Sequence, residues 1–551
     1  MAVQVQHKVP VIIVGGGPAG LSMGMALAQF SVKSLIVEKN SSTSEHPKSR
    51  GTFVRTMEIF RRWGLAARLR ARGLPDETDV FAFRTSIVGH EIGRTLPEPN
   101  LHQSPVWKVG VAQDAVEEEL VRCLRSSIYP TIRFNMEAVS YKDLDTHVVV
   151  DIRNVESGVV ERWEADYLIA ADGAGSGMRR AAGIEMTGPS TLAYMLNEYW
   201  RGDLSNHPIA KEAAGIRVYP TSPDVPVATT LNTNGADRWL TVLRIGLDRD
   251  ERDVPWNDTD TVRFLRRHVG IPDFNIQLIN RTTWRVSKQV ASSMRLGRMF
   301  LVGDAAHRFP PSGGFGMNTG IQDAHNLAWK LAFVLQGIAS EALLDTYDVE
   351  RRPVAQSNAD WSQSNAHRIA QVDEAVRTGN DDRFQFWLDD FLNHTHNVGR
   401  GLGFFYEHGA IIPDGSVPPV SDSRFYSPTD RPGSRFPHFW VDALSTVSSI
   451  DWFDSMMTLI VGPSDEVWLD AGQRVAERLN ITLQLKRLRE TNREDGLGMG
   501  PRGAVLVRPD GHVAWRVAWP DSNAEELLSL VFARLLQPDT VPAIEEHYVR
   551  L

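Results

Sequence analysis

The sequence predicts an α/β protein built on a doubly wound parallel sheet, with an antiparallel sheet inserted into it and a smaller α/β unit at the end. Strand-like apolar runs alternate with helical stretches, as in a parallel sheet covered by helices; these runs lie at 9–14, 34–37, 167–171 and 299–303. Residues 183–291 instead carry short alternating strands, which favour an antiparallel sheet. Past residue 401, a segment rich in proline, glycine and serine leads into further strands and helices.

Composition places the chain among soluble globular proteins. Its 551 residues predict about two to four domains, and 42% hydrophobic and 23% charged residues are ordinary values. A net charge of −9 without a basic tract argues against a nucleic-acid partner. No apolar run is long enough to cross a membrane and the N-terminus begins a strand, so we expect a cytoplasmic protein without a membrane partner. The single cysteine, Cys123, excludes an intrachain disulfide and a cysteine-rich metal site, and we expect no metal.

The first apolar strand ends in a glycine-rich turn with the pattern GxGxxG, at Gly15, Gly17 and Gly20. The first glycine allows a tight turn, the second lets the backbone approach a pyrophosphate, and the third lets the next helix pack closely. The N-terminus of that helix would face the phosphate charge. The second strand ends at Glu38, about twenty residues on, where an acidic residue holds the adenosine ribose. This order of elements predicts a dinucleotide site.

A second match to GxGxxG lies at 498–503, but it leads into a strand-like run at 504–507 instead of a helix. No helix terminus would face a phosphate there, so we interpret it as a loop. Any nicotinamide cofactor is therefore expected to bind transiently, without a Rossmann domain of its own.

The next elements follow in order. Helices are predicted at 55–72 and 113–124, the second with three glutamates near its start, where the helix dipole favours anions. Three alternating strands predict an antiparallel meander; they lie at 132–134, 138–142 and 146–153. The strand at 167–171 then ends in a second glycine-bearing turn, which reads Asp172-Gly173-Ala174-Gly175-Ser176-Gly177-Met178-Arg179-Arg180.

The inserted sheet contains one predicted helix, 258–269, and a sheet with a free face makes a natural wall for a pocket that holds a flat cofactor. The chain then returns to the parallel-sheet domain. Two helices are predicted there, at 320–337 and at 343–369, and the second is long and kinked at Pro353. The final unit is predicted as a strand, a helix, two strands and a helix, at 457–461, 465–479, 503–507, 512–517 and 524–536.

A third turn follows the strand at 299–303 and is the most informative stretch of the chain. It reads Gly303-Asp304-Ala305-Ala306-His307 and continues through Pro310-Pro311-Ser312-Gly313-Gly314-Phe315-Gly316-Met317-Asn318. The three turns, in this order and spacing, resemble the class A flavoprotein monooxygenases, the single-component aromatic hydroxylases. The resemblance covers essentially the whole chain. It is closest to the phenol, chlorophenol and polyketide hydroxylase branch, whose members end in a thioredoxin-like domain similar to residues 504–516.

The resemblance implies a division into domains. An FAD-binding domain of the glutathione-reductase type would occupy 1–182 and 292–400, with a substrate-binding β-sheet domain at 183–291 between its two parts. Residues 401–551 would form a linker and a thioredoxin-like domain. This last domain has no Cys-x-x-Cys, which excludes thiol redox chemistry, so its expected role is packing or homodimerisation.

The resemblance also implies which residues contact FAD. Asp304 would hydrogen-bond the ribityl hydroxyls, and the backbone of 316–318, at a helix start, would face the flavin pyrimidine oxygen. Asp304 could instead cap its turn, and His307 is expected to be a structural histidine. The expected cofactor contacts are Gly15, Gly17, Pro18, Ala19, Gly20, Glu38, Lys39, Arg50, Gln113, Asp172, Gly303, Asp304, Pro311, Gly314, Gly316, Met317 and Asn318.

The catalytic candidates are Arg50, Pro311 and Tyr219. In the phenol hydroxylase branch, an acidic residue that acts on the phenol lies five residues before an Arg-Thr pair; this chain has Arg50 there. Arginine stays protonated and cannot be a general base. Arg50 would stabilise a phenolate, anchor a substrate carboxylate, steady a flavin peroxide or only contact the flavin ring. Pro311 would lie beside the reactive edge of that ring.

The implied activity is hydroxylation of a phenolic substrate with O2. NADPH or NADH, associated in this family with the motif at Asp172 and Arg180, would reduce FAD, and a flavin C4a-hydroperoxide would transfer one oxygen. Pocket candidates on the inserted sheet are Tyr199, Tyr219 and Trp284, although core packing explains each equally well. The nearest rival is Baeyer–Villiger oxygenation of a cyclic ketone or polyketide. Two further alternatives are a flavin-dependent halogenase and a non-enzymatic flavin-binding scaffold. The halogenase is disfavoured because the sequence has no Trp-x-Trp-x-Ile-Pro stretch.

Overall fold

The computed structural model describes residues 4–222, 224–246, 256–464, 466–489, 497–519 and 521–539. The first eight strands are β1 Gln4–Val14, β2 Ser34–Val37, β3 Phe81–Arg84, β4 Glu91–Arg94, β5 Pro130–Arg133, β6 Met136–Asp143, β7 Val148–Asn154 and β8 Val160–Ala170. The helices among them are α1 Pro18–Gln29, α2 Val54–Arg62, α3 Ala66–Arg72 and α4 Gln113–Arg125.

The next strands are β9 Met186–Thr187, β10 Ala193–Arg201, β11 Gly215–Val218, β12 Ala228–Asn232, β13 Arg238–Ile245, β14 Gln277–Val286, β15 Gln289–Ala291, β16 Arg295–Leu296, β17 Met299–Leu301 and β18 His307–Arg308. The helices of this region are α5 Gly177–Ala181, α6 Ile209–Glu212 and α7 Asp258–Val269.

Five helices follow, α8 Phe315–Leu335, α9 Thr346–Thr378, α10 Asp381–Asp390, α11 Leu392–Thr395 and α12 Val398–Gly403. The last elements are β19 Met457–Val461, α13 Val467–Leu479, β20 Leu483–Arg487, β21 Ala504–Val507, β22 Val513–Val517 and α14 Ala524–Leu536. The predicted start of the helix here named α13, residue 465, lies outside the described residues.

The main sheet has the strand order β16-β17-β8-β1-β2-β5, with β17, β8, β1, β2 and β5 parallel. Residues 11–14 of β1 and all of β2 are buried, as strands covered on both faces must be, and α1 packs against α4 and α8. Because the strands are parallel, the turns after β1, β8 and β17 meet at one edge of the sheet.

Two predictions in this region are wrong. The first strand of the predicted meander, β5, follows the α4 crossover and joins the parallel sheet beside β2, and the antiparallel meander consists of β6, β7 and β8 instead. The single helix predicted at 55–72 is broken into α2 and α3 at Gly64, whose φ of +72° is a left-handed conformation that a continuing helix cannot contain.

A second sheet of seven strands has the order β14-β10-β13-β12-β11-β3-β4. Its strands β3 and β4 come from residues 81–94, ahead of the inserted region, and β3 pairs with β11 in parallel. Helix α7 covers one face of this sheet, where Leu265 and Val269 join a core with Trp200, Ile216 and Leu243.

The long helix α9 spans 33 residues and continues through Pro353. A last sheet, β20-β19-β21-β22, carries α13 and α14, and its core is continuous with that of the parallel-sheet domain. No helix in the described part of the chain is both long and apolar enough to cross a membrane.

Candidate functional site

The three predicted turns converge at the carboxyl edge of β1, β8 and β17. A Cβ on Gly15 would lie 2.2 Å from the carbonyl oxygen of Ala171, just before Asp172. A Cβ on Gly303 would lie 2.9 Å from the Cβ of Ala19. Only residues without side chains permit these approaches, so the glycines of both motifs are explained by contact between the turns.

The first turn presents an open helix N-terminus. Helix α1 begins at Pro18, and its N-cap, Gly17, provides no side-chain acceptor for the first N–H groups. A Cβ on Gly17 would meet nothing within 4 Å, so space remains in front of these groups. Uncapped N–H groups at the positive end of a helix fit a phosphate.

Glu38 lies beside the same turn, at the end of β2. Its Oε2 accepts the Gly16 N–H at 2.7 Å, and its Oε1 accepts the backbone N–H and the side-chain amide of Asn40 at 2.9 and 2.6 Å. Each carboxylate oxygen has two lone pairs, so these three bonds leave one acceptor site, on Oε2, for a ribose hydroxyl. Lys39 is exposed.

The turn after β17 presents one carboxylate. Asp304 is exposed while Gly303, Ala305 and His307 are buried, so the Asp304 side chain points out of the turn. This exposure favours contact with a ligand as the role of Asp304 over capping of its own turn. In the described part of the chain, the Asp304 side chain makes no capping hydrogen bond.

Asp323, on α8, holds this turn from behind. Its carboxylate accepts the Gly303 N–H at 3.2 Å, His307 Nε2 at 2.6 Å and Arg351 Nε at 2.8 Å. Burial raises the pKa of Asp323, but the neighbouring His307 and Arg351 outweigh it and hold that pKa below its usual value. Sequence reasoning missed Asp323 and Arg351, which lie on the helices α8 and α9 that pack together behind the turn.

The start of α8 is the fourth part of the site. Its N-cap, Gly314, has φ +73° and again supplies no side-chain acceptor. The next residues, Gly316 and Met317, are half-buried, and Pro311 is exposed. An open helix N-terminus at this point fits a group that carries partial negative charge.

The side chain of Asn318 ties this helix start to the loop before α2. Its Oδ1 accepts the Phe53 N–H at 2.8 Å and the Thr56 hydroxyl at 2.7 Å. Its Nδ2 donates to the carbonyls of Gly51 at 3.0 Å and Gly314 at 2.9 Å. The sequence predicted a role for the backbone here, whereas the buried side chain makes the connection.

Arg50 lies in that same loop with an unsatisfied group. It is half-buried, and its Nη1 is shielded from solvent without a hydrogen-bond partner in the described part of the protein. Burial lowers the pKa of Arg50, and the nearby Asp79 opposes that shift. A buried guanidinium N–H without a partner indicates a missing acceptor, as a bound ligand would supply.

Gln113 fixes the other side of the loop. Its backbone N–H donates to the carbonyl of Ser49 at 2.9 Å, and its Nε2 donates to Glu117 at 2.7 Å. Glu117 also accepts the Ser44 N–H at 2.9 Å. Gln113 therefore contacts Ser49, the residue before Arg50, through its backbone. Its side chain is hydrogen-bonded within α4.

Asp172 sits in the turn after β8. Its Oδ2 accepts the Met178 N–H at 3.1 Å, while its buried Oδ1 has no partner within the described ranges. Of the two following arginines, Arg180 is exposed and Arg179 is buried, with Nη1 donating to the carbonyl of Ile184 at 2.6 Å. The free Oδ1 of Asp172 is a second acceptor at the edge of the site.

The face of the seven-stranded sheet opposite α7 forms a wall. Side chains alternate along each strand, so Asn197 and its neighbours two residues away point away from α7. The half-buried residues of this face include Met195, Thr229, Leu231, Val242, Thr282 and Trp284, and also the polar residues Arg217, Arg238 and Asn280. Such a mixture of apolar and polar side chains, incompletely covered, suits an aromatic ligand with polar substituents.

His46 docks the loop that carries Arg50 onto this wall. Its Nδ1 contacts Asn280 Oδ1 at 2.5 Å, and its Nε2 lies 3.1 Å from the Thr282 hydroxyl and 3.3 Å from the Asn197 amide. Burial lowers the pKa of His46, although the bond to Asn280 raises it. Sequence reasoning missed His46.

Tyr199 and Tyr219 are both buried, in different surroundings. The Tyr199 hydroxyl lies 3.3 Å from Arg238 Nη1 and its ring contacts His46. Tyr219 donates its hydroxyl to Asp373 on α9 at 2.8 Å and stacks on Phe83, and burial raises its pKa. Among the described contacts, none brings Tyr219 together with Arg50 or Pro311.

Two family models match the chain. Residues 8–362 match the model described as FAD binding domain, and 429–538 match the one described as aromatic-ring hydroxylase, C-terminal. The chain is 32% identical to tetracenomycin A2 monooxygenase-dioxygenase of Streptomyces glaucescens, over 97% of this chain and 98% of that protein. It is 29% identical to phenol 2-monooxygenase of Pseudomonas sp. (strain EST1001), over 94% and 92%. The crystal structure of the flavin-dependent monooxygenase PieE in complex with FAD and substrate superposes with a TM-score of 0.89 at 28% identity, covering 97% of this chain and all of that one.

Proposed function

The chain belongs to the FAD-binding aromatic-ring hydroxylase family, and from this we propose that it hydroxylates a phenolic substrate with O2 and NADPH or NADH. Family membership makes it a flavoprotein monooxygenase that binds FAD. The single observation that carries the proposal is the convergence of the Gly15, Asp172 and Gly303 turns.

The residues at this edge fit FAD group by group. The open N-terminus of α1 would bind the pyrophosphate, and Glu38 would accept an adenosine ribose hydroxyl. Asp304 would accept the ribityl hydroxyls, and the backbone of Gly316 and Met317 would face the pyrimidine edge. Bound there, FAD supplies the redox and oxygen-transfer chemistry that amino-acid side chains lack.

The substrate would lie between the flavin site and the sheet wall. The relative named phenol 2-monooxygenase supports an aromatic alcohol as the substrate. The wall offers Leu231, Val242 and Trp284 for an aromatic ring and the hydroxyls of Thr229 and Thr282 for its substituents. Such a pocket positions a ring and keeps water out while oxygen is transferred.

Arg50 would take the place of the branch's acidic residue. Its free buried Nη1 can donate to a phenolate oxygen, to a substrate carboxylate or to an oxygen on the flavin. Because arginine cannot accept the phenol proton, Arg50 would favour the ionised substrate by charge and leave the proton to water or to another group. Pro311, exposed at the start of its loop, would border the reactive ring edge.

We propose the domain division 1–182 with 292–400 for FAD, 183–291 for substrate and 401–551 for linker and a thioredoxin-like domain. The last assignment is supported by topology: α13 connects the parallel pair β19 and β20, and the antiparallel pair β21 and β22 leads into α14. Its order β20-β19-β21-β22 would suit a thioredoxin-like sheet, and the sequence there has no Cys-x-x-Cys motif.

The test is a substrate panel on the FAD-loaded protein, read as substrate-stimulated NADPH and NADH oxidation. Phenols, hydroxybenzoates and polycyclic phenols are compared with cyclic ketones, and product connectivity is determined by NMR because both rival reactions add one oxygen. The proposal predicts stimulation by a phenol and a new ring hydroxyl. Stimulation only by ketones, with a lactone product, would replace it with Baeyer–Villiger oxygenation, which the unpaired Nη1 of Arg50 would also suit.

A further inference from the structure

The tip of the β21–β22 hairpin, residues 508–512, enters the interior of the protein. The chain reverses there at Gly511, whose φ is +79°, and Arg508, Asp510 and His512 are almost fully buried. Buried charges are stable only where each has a partner. The tip finds such partners outside its own sheet, on α2, α8 and α9 of the parallel-sheet domain.

Arg508 joins the tip to α9. Its Nη1 and Nη2 donate to the two carboxylate oxygens of Glu350, each at 2.9 Å, and its Nε donates to Asp510 Oδ1 at 3.0 Å. Glu350 also accepts Lys330 Nζ of α8 at 2.8 Å. All four side chains are buried, and the planar fork of an arginine allows two parallel bonds to one carboxylate. Arg508 therefore fixes Glu350, and the part of α9 around it, in one position.

The next residue of α9, Arg351, contacts the support of the turn after β17. Its Nε donates to Asp323 at 2.8 Å, and the Asp323 carboxylate accepts the Gly303 N–H at 3.2 Å. Consecutive residues of a helix share one rigid backbone, so a displacement of Glu350 also displaces Arg351. A continuous series of buried polar contacts therefore connects Arg508 of the C-terminal unit with this turn.

The hairpin tip also contacts α2. The carbonyl of Asp510 accepts Arg55 Nη2 at 2.5 Å, and the carbonyl of Pro509 accepts Arg62 Nη1 at 2.7 Å. The start of α2 is in turn bonded to Asn318 at the start of α8. The tip thus contacts two of the helices that border the proposed flavin site, and Arg508 provides the only one of these contacts that leads to the turn after β17 through the ion pairs described above.

We propose that Arg508 is a positioning residue for FAD, which sets the Asp304 turn through α9 although it lies in the C-terminal unit. The inference rests on the proposed flavin site. It gives the C-terminal unit a part in cofactor binding, in addition to the packing expected from the sequence. Without the Arg508 guanidinium, Glu350 is free to shift with α9, and the Asp304 carboxylate loses its alignment with the ribityl hydroxyls.

The test is a double-mutant cycle on FAD binding with Arg508→Met and Asp304→Ala. Apoprotein of each variant is titrated with FAD, and Kd is obtained from flavin fluorescence. Arg508→Met should raise Kd about tenfold when Asp304 is present. In the Asp304→Ala background it should raise Kd less than about twofold, because the acceptor that Arg508 positions is gone. Equal increases in the two backgrounds, or no increase in either, would overturn the inference.

Arg516→Met is the matched control. Arg516 lies on β22 of the same hairpin and also pairs with two carboxylates, Asp414 at 2.6 Å and Asp430 at 2.5 Å, in the segment before β19. Its loss should lower the free energy of urea unfolding and leave Kd for FAD unchanged. An increase in Kd as large as that of Arg508→Met would overturn the inference, because reduced stability would then explain both results.

Two milder variants decide the question if Arg508→Met does not fold. Arg508→Lys keeps the charge without the fork, and Tyr406→Phe removes the hydroxyl that lies 3.4 Å from Arg351 Nη1. Each should raise Kd about two- to fivefold, and only when Asp304 is present. An unchanged Kd in both variants would overturn the inference and leave the proposed function intact. A wild type that binds no FAD would overturn the proposed function itself.

Discussion

Gly303 lies directly against Ala19, so that a Cβ on the glycine would come within 2.9 Å of the alanine Cβ. Gly320 on α8 lies against both residues, since a Cβ added to it would lie 3.0 Å from the Gly303 Cα and 3.2 Å from the Ala19 Cβ. The turn that carries Asp304 therefore packs closely against α1 and α8 at the point where these two helices meet. This contact joins the proposed pyrophosphate site to the proposed ribityl site.

Gly303→Ala should lower both stability and FAD content. The residue has φ +60°, which costs an alanine about 1–2 kcal/mol, and the new methyl would press on Ala19. Gly337→Ala is the matched control, because Gly337 has φ +72° with nothing within 4 Å of an added Cβ. Thermal melting and the flavin-to-protein absorbance ratio measure both effects. FAD loss of equal size in the two variants would mean that the Ala19 contact has no role.

Asp323→Asn should destabilise the protein strongly while keeping the shape of the side chain. It leaves Arg351 buried without its carboxylate and weakens the hold on His307, which should cost about 3–5 kcal/mol in urea unfolding. Glu374→Gln removes a carboxylate from the exposed pair with Arg377 and should change the free energy of unfolding little, because solvent screens that pair. Similar losses in the two variants would contradict the role of Asp323 as the support of the Asp304 turn.

Tyr219→Phe should reduce stability and leave the turnover of product almost unchanged. The tyrosine hydroxyl is engaged by Asp373, and its loss should cost about 1 kcal/mol. The measurements are urea unfolding and the rate of hydroxylated product at saturating substrate. A fall in kcat of about 100-fold without a change in stability would instead show that the hydroxyl takes part in the reaction.

Stability should decrease as the pH falls from 7 to 5. His268 and His512 are almost fully buried, and burial lowers the pKa of each to about 3. Because the unfolded chain binds these protons near pH 6.5, the stability that neutral histidine provides is complete above that value and is lost progressively as the pH falls towards 3. At pH 5 each histidine should account for about 2 kcal/mol.

The matching variant is His268→Gln, which keeps a polar partner for the hydroxyl of Thr230, 2.8 Å from His268 Nε2 in the wild type. The free energy of urea unfolding is measured at pH 7 and pH 5 for both proteins. The variant should lose about 2 kcal/mol less than the wild type over this interval. If the free energy of unfolding changed by the same amount between pH 7 and pH 5 in the wild type and in the variant, His268 would not take up a proton on unfolding.

The convergence of the turns could be predicted because local sequence determines it. Residues 9–14 and 167–171 are apolar throughout, as strands buried on both faces must be, and parallel strands place their following turns at one edge. The break between α2 and α3 could also have been predicted at Gly64, since a glycine within a helical pattern weakens the helix. The pairing of β5 with β2 required knowledge of the crossover through α4, which strand alternation alone does not contain.

The polar contacts behind the site could not be predicted from the sequence. Asn318 bonds to Phe53 and Thr56, and His46 bonds to Asn280, across more than 230 residues in each case. Such contacts have no periodicity, and the same residue types are common on exposed surfaces. The recruitment of β3 and β4 into the second sheet is similar, because strand pairing depends on the whole topology.

FAD is expected to bind where the three turns meet, with its ribityl hydroxyls hydrogen-bonded to the Asp304 carboxylate. Apoprotein, prepared by removing the flavin, is titrated with FAD and followed by flavin fluorescence for the wild type, Asp304→Asn and Asp304→Ala. We expect one FAD per chain in the wild type, with Kd raised about 10- to 100-fold in Asp304→Ala and less in Asp304→Asn, which keeps one acceptor. A wild type that binds no FAD, or an Asp304→Ala variant that binds it as tightly, would contradict the claim.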